Sequence, residues 1–249
     1  MNRLTATYTP PKAPAARSRP ATAAPQSSPT HCLLAPLHYE RNYAYPLIVW
    51  LHGAGSSERE LHDVMPEVSL RNYVSVGVRG LACETSGYDW PQTPAGIAAA
   101  ESRVAAAVAD ARQRFNIHPQ RIFLAGANRG GTMALRLALR EPECFAAAAS
   151  LGGAFPEQHA PLAGLHRARR VKLLIAHCRD SETYSIARVC DELALFHAAG
   201  MNVTLRQYPC ADELTTLMLR DLDVWLMEQV TGIPAAEAQE PAPLPSQWN

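Results

Sequence analysis

Short apolar runs alternate with stretches of helical periodicity along most of the chain. "PLIVWLHG" (Pro46 to Gly53) stays apolar almost to its terminal glycine, the pattern of a central strand buried on both faces. "NYVSVGVRG" (Asn72 to Gly80) predicts a second strand, and from about Gly96 to Phe115 the residues Ile97, Val104, Val108 and Phe115 recur at helical spacing. "RIFLAG" (Arg121 to Gly126) predicts the next strand, followed by a turn and a helix to about Arg140. "CFAAAASLGG" and "VKLLIAH" (Val171 to His177) read as buried strands, with a helix from about Thr183 to Ala199 that Gly200 can cap. "NVTLRQY" (Asn202 to Tyr208) alternates as a strand near a sheet edge does, and a last helix from roughly Thr215 to Val230 aligns Leu214, Met218, Leu222 and Trp225. Strands and helices in this order predict an α/β fold, a mostly parallel central sheet with helices on both faces.

The pattern fades at both ends. Residues 1–30 are rich in Pro, Ala, Ser and Thr and hold no acidic residue, and residues 232–249 are similar in their lack of periodicity. Both read as disordered tails around one domain, 31–231. Lys and Arg total 23 and so do Asp and Glu, which leaves no overall field to draw nucleic acid or an anionic membrane. No apolar run approaches the roughly 18 to 20 residues of a spanning helix, and the N-terminus lacks the apolar core of a secretory signal. A cytoplasmic chain is expected, with a small neutral or ester-like ligand or a protein partner, no nucleic acid and no membrane. The six cysteines are scattered without a C-x-x-C pair, so most are expected to be reduced and buried, outside any zinc site or disulfide framework.

Candidate chemistry enters at "IFLAGANRGGTMALRLAL" (Ile122 to Leu139). Strand, glycine-rich turn and helix follow one another in the shape of a nucleophile elbow, G-x-S-x-G, with Asn128 in the place of the serine. Together with "VWLHGAGSS", "VKLLIAHCRDS" and "AAGMNVTLRQYPCADE", this stretch resembles the α/β-hydrolase fold and, within it, the phospholipase/carboxylesterase-like branch. The resemblance covers about residues 31 to 230. It implies a nucleophile, an acid, a base and an oxyanion hole at the carboxyl ends of the strands.

The resemblance carries over position by position. An oxyanion hole would take one amide from the turn His52-Gly53-Ala54-Gly55, at Ala54, and another from Arg129, next to the elbow residue. Gly126, Gly130 and Gly131 permit the close approach an elbow requires. Asn128 is tolerant of left-handed backbone, so the turn reads as kept, with less strain and without its nucleophile. Thr132, the nearest hydroxyl, is expected inside the helix. The acid position, in a pattern resembling H-G-x-x-D, is taken by Ser181, with Asp180 one residue early, either a relocated acid or a helix-capping loop residue. The base position, in a pattern resembling Y-P-G-G-H-E, is taken by Asp212, and a carboxylate with an ordinary pKa near roughly 3.9 is a poor base for an alcohol. His177 and His197 read as packing or surface residues. The loop Leu81 to Gly96 should overhang the same crevice, with His52, Gly53, Gly55, Tyr88 and Trp90 as its pocket candidates.

These substitutions predict an α/β-hydrolase-fold protein without serine-hydrolase catalysis, retained for ligand or partner binding. The alternative is a carboxylic-ester hydrolase with a non-standard catalytic set drawing on Asp180 and Asp212. No cofactor is expected, and no metal, because Asn128, Asp180 and Asp212 supply fewer oxygen ligands than a dedicated hard-cation site usually needs.

Overall fold

The computed structural model describes residues 29–83 and 86–234. Its elements run in the order β1 (His31–Leu34), β2 (Tyr45–Leu51), a short 3-10 turn (Glu58–Glu60), α1 (Leu61–Val68), β3 (Val74–Val78), β4 (Leu81–Ala82) and β5 (Tyr88–Asp89). They continue with α2 (Pro94–Arg114), β6 (Ile117–Ala127), α3 (Arg129–Arg140), β7 (Ala147–Leu151), α4 (Leu165–Ala168), β8 (Lys172–Cys178), α5 (Ile186–Ala199), β9 (Val203–Tyr208) and α6 (Thr216–Thr231). Apart from their few residues next to the domain, the two expected tails lie outside the described residues.

Seven strands form one sheet in the order β1-β3-β2-β6-β7-β8-β9. Only β1, at one edge, is antiparallel to its neighbour; every other described pairing in the sheet is parallel. This is the mostly parallel sheet of the α/β-hydrolase fold. Side-chain alternation along β2 divides the core between two faces. Leu47, Val49 and Leu51 pack on the side of α2, α3 and α5, while Ile48 and Trp50 pack on the side of α1 and α6. Every residue of β2 is buried, as a continuously apolar strand between two helical layers must be.

Local signals fix the helix ends. Thr93 Oγ1 accepts from Gly96 N at 3.1 Å ahead of Pro94, and Ser185 and Thr215 cap α5 and α6 in the same way. Gly200 ends α5 in left-handed backbone, φ 63°. α5 begins at Ile186 and not at Thr183, because residues 181–184 form a turn between the loops of the candidate site. The periodicity did not reveal β1, α1 or the β4–β5 hairpin. β1 is only four half-buried residues, and α1 is eight residues interrupted by Pro66.

Two sequence expectations are corrected. Cys178 and Cys210 form a disulfide, and Cys83, Cys144 and Cys190 are exposed, so most cysteines are not buried thiols. The pairing has no local signature in the sequence, because the two residues are 32 apart and meet only through the parallel pairing of β8 with β9.

Candidate functional site

The elbow is built by backbone. β6 delivers the chain to Ala127 and α3 starts at Arg129, leaving Asn128 between them at φ 47°, ψ −116°. Left-handed helical backbone has ψ of about +30 to +60°, so Asn128 lies well outside the region that asparagine tolerates. The expected relief of strain is therefore absent: the turn keeps a backbone conformation costing on the order of 1 to 3 kcal/mol. Its surroundings enforce it. Asn128 N donates to Leu151 O at 2.8 Å, and Thr132 N donates to Asn128 O at 3.0 Å. A Cβ on Gly130 would lie 2.2 Å from Leu51 O, and one on Gly153 would lie 2.0 Å from Asn128 O. Thr132 lies inside α3, its hydroxyl donating to Ala154 O at 2.8 Å.

The turn after β2 is held from below. Gly53 N donates to both carboxylate oxygens of Glu60 at 3.1 and 3.2 Å, and Glu60 Oε1 also accepts from Trp50 Nε1 at 2.9 Å. Gly55 N donates to Tyr88 O at 2.9 Å and Tyr88 N to Ser56 O at 3.0 Å, which stitches the turn to β5. Ala54 is left exposed at the tip. Arg129 is the first residue of α3, where a helix amide has no intrahelical acceptor. Its guanidinium pairs with Asp89 at 3.0 Å, tying the elbow to the same hairpin.

His52 is a structural residue. It is fully buried, Gly80 N donates to its Nε2 at 3.0 Å, and Nδ1 lies 2.7 Å from Gly53 O. Because Nε2 must accept, the proton sits on Nδ1 and the ring is neutral. Burial pushes its pKa below the ordinary imidazole value, with the nearby Gly53 carbonyl only partly offsetting this. Trp90 is also in the core: it is 1% exposed, packs on His52 and donates from Nε1 to His52 O at 2.9 Å. The structure thus places His52 and Trp90 beneath the turn. Tyr88 is half-buried, with the Arg79 guanidinium 5.0 Å over its ring.

The acid and base loops meet each other. Ser181 Oγ donates to Asp212 Oδ1, Thr183 Oγ1 donates to the same oxygen at 2.7 Å, and Tyr184 N donates back to Ser181 Oγ at 2.9 Å. The Ser181 hydroxyl, and then that of Thr183, hold the Asp212 carboxyl below the usual carboxylate range. Asn128 Nδ2 reaches this loop at the main-chain oxygen of Asp212, 3.4 Å away. Asp180 is turned outward, exposed and paired with Arg179 at 3.2 Å. His177 is buried between Tyr184 O, 2.8 Å from Nε2, and Gln207, which donates to Nδ1 at 3.3 Å, while His197 is exposed on α5.

Sequence reasoning missed three contributors. Thr183 lies outside the motifs of the acid and base positions, Glu60 reaches back to the turn from the end of the 3-10 turn seven residues later, and Glu58, buried, pairs with the Arg79 guanidinium that lies over Tyr88. Among the described residues no group of three or more His, Cys, Asp or Glu could hold a metal ion. Among the described residues no helix is long and apolar enough to cross a membrane. A cavity of about 700 Å³ between α2 and the end of α3 is lined by Val104, Val108, Ile122 and Phe145, at the amino ends of the strands and away from Asn128.

Solved structures share this architecture. Arabidopsis thaliana SOBER1 superposes with a TM-score of 0.63 at 18% identity, covering 75% of this chain and all of its own. The carboxylesterase from Mesorhizobium loti gives 0.61 at 23% identity, covering 73% of this chain and 88% of its own. The Bacillus cereus carboxylesterase gives 0.63 at 18%, covering 80% and 93%. No curated protein matches the chain by sequence. The family model described as "Putative esterase" matches residues 22–184, more than half of the chain, including the elbow and Ser181 but ending before Asp212. With that match over a mostly parallel sheet and a glycine-built elbow, the chain belongs to the esterase family of the α/β-hydrolase superfamily.

Proposed function

We propose that this member of the esterase family has lost serine-hydrolase chemistry and keeps its crevice to bind a small neutral or ester-like ligand, or a protein partner. The observation that carries the reading is the hydrogen bond from Ser181 to Asp212. In a working relay a carboxylate at the acid position orients an imidazole at the base position, which takes the proton of the nucleophile. Here a hydroxyl occupies the first place, a carboxylate the second, and an amide, Asn128, the third. Asp212 already accepts hydrogen bonds from two hydroxyls and is held below the ordinary carboxylate range, which weakens it further as a base.

The amides of Ala54 and Arg129 do not depend on side-chain identity, so a carbonyl oxygen could still be received between them without being attacked. A hydrolase using Asp180 finds little support, since that carboxylate faces solvent and Arg179. The same proposal places the protein in the cytoplasm, where the thiols of Cys32, Cys144 and Cys190 would stay reduced.

The test uses purified full-length protein with short-chain and medium-chain activated esters and a serine-reactive phosphonate. Expected are turnover near the uncatalysed background and no phosphonate adduct. Robust turnover abolished by Asn128→Ala would overturn the reading. Trace hydrolysis would not, because an oxyanion hole and binding alone leave about 10³- to 10⁴-fold over water in enzymes stripped of their triads.

A further inference from the structure

The loops that carry Ser181 and Asp212 are joined covalently. Cys178 is the last residue of β8, Cys210 stands two residues past β9, and the disulfide between them holds their Cα atoms 4.9 Å apart. Among the described residues β9 ends the sheet and pairs on one side only, with β8. Beyond the strands, Arg179 N donates to Tyr208 O at 2.8 Å and Asp180 N to Cys210 O at 3.0 Å, which carries the pairing onward to the loops. Ser181 follows Cys178 by three residues and Asp212 follows Cys210 by two, and their side chains hydrogen-bond. The main-chain oxygen of Asp212 in turn accepts from the Asn128 amide, so movement of this loop reaches the elbow.

We propose that the Cys178–Cys210 disulfide is a redox-sensitive tether of the crevice. Oxidised, it holds the Ser181–Asp212 contact in place beside Asn128; reduced, it frees the loop after β9 to move away. A small dithiol supplies the two electrons and two protons that convert the bond into two thiols, and is itself oxidised to a disulfide. Attack falls on Cys210, 6% exposed against 1% for Cys178, once the loop bearing Asp212 opens locally. Without the covalent tie, the contact rests on hydrogen bonds at a partly exposed position, each of which contributes modestly because water competes for the same groups.

The inference rests on the crevice being the ligand site proposed above, but its test reads backbone protection and not hydrolysis, so the two fail separately. Full-length protein, its exposed thiols blocked with N-ethylmaleimide, is compared by hydrogen exchange before and after treatment with a dithiol, alongside a Cys178→Ser, Cys210→Ser double variant. Residues 179–184 and 209–215 should exchange about tenfold faster on reduction while residues 122–127 stay protected, since local opening spares the core strands. The double variant should match the reduced protein and ignore the dithiol. Unchanged exchange in the two loops would overturn the proposal. So would loss of protection throughout the chain, which marks a staple of the whole fold. Six alkylatable thiols in protein denatured without reductant would show that the bond does not form. If the double variant fails to fold, reduction of the wild-type chain alone still decides between these outcomes.

Discussion

The elbow at Asn128 and the paired loops after β8 and β9 hold their geometry by different means. At the elbow the geometry is set by backbone and glycine: Asn128 keeps its strained φ and ψ, and Gly130 and Gly153 leave no room for a side chain. In the loops the geometry depends on which side chains reach across, and there a hydroxyl, a carboxylate and a disulfide make the contact. Main-chain architecture packed into a core is costly to change, whereas a loop can exchange one polar partner for another at small cost in stability. The comparison predicts that the elbow is intolerant and the loops permissive.

Gly130→Ala attacks the intolerant side directly. Its new Cβ would meet two carbonyl oxygens, Leu51 O at 2.2 Å and His52 O at 2.3 Å, both belonging to buried backbone. A loss of more than about 4 kcal/mol is expected, in the range reserved for strain and overpacking, seen as a fall of roughly 10 °C or more in Tm or as insoluble protein. A Tm within two or three degrees of wild type would break the comparison at its stronger end.

Restoration tests whether the elbow still presents a reactive geometry. Asn128→Ser alone should leave ester turnover at background, because a serine without its base gains little. Combined with Ser181→Asp and Asp212→His, it should raise turnover of an activated ester by about 10²-fold or more, since triad members act as a unit. Active-site titration with a phosphonate would check it; labelling of the single variant equal to that of the triple would show that the loops do not matter.

His52 marks where the two halves of the turn region meet the core. His52→Leu leaves Gly80 N buried without a partner, while Gly53 O keeps its bond from Ser56 N, at an expected cost of about 1 to 3 kcal/mol measured by denaturant unfolding. The pH dependence has a defined sign. Burial lowers the folded pKa of His52, so the unfolded chain binds the proton more readily, and stability is complete above the unfolded value of about 6.5 and declines as pH falls below it. The difference in stability between pH 7.5 and pH 5.5 should therefore be smaller in the variant than in wild type.

Legibility in the sequence follows the same division. Continuous apolar strands such as "PLIVWL" and capped helices such as that ended by Gly200 wrote the sheet and its layers into local pattern, because each depends on residues adjacent in the chain. The glycines of "AGANRGG" likewise announced the elbow. What local pattern could not carry was partnership across the fold. Cys178 meets Cys210, and Thr183 meets Asp212, only after strands distant in sequence pair or loops pack. His52 and Trp90 looked like pocket residues because they flank the turn and overhang loop, yet each satisfies its polar atoms inward. The ψ of Asn128 was also beyond reach, since residue type suggests a tolerance and only the surrounding backbone selects the conformation.

The smallest expected effect distinguishes the two carboxylates of the loops. Asp180 is exposed and faces only Arg179, so Asp180→Ala should change stability by less than about 0.5 kcal/mol, within the range of solvent-screened surface pairs. Asp212 accepts from Ser181 and Thr183 and lies against Asn128 through its main chain, so Asp212→Ala should cost about 1 kcal/mol or less, solvent screening keeping the loss small. The sign with pH separates them further. The Asp212 carboxyl is held below its ordinary range in the fold, so its contribution is present above the unfolded carboxylate value near roughly 3.9 and is lost as pH falls through the folded value. Denaturant unfolding of the two variants at pH 7 and pH 3 should thus show a gap that narrows in acid, and equal losses at both pH values would mean that the contact between Ser181 and Asp212 does not hold these loops together.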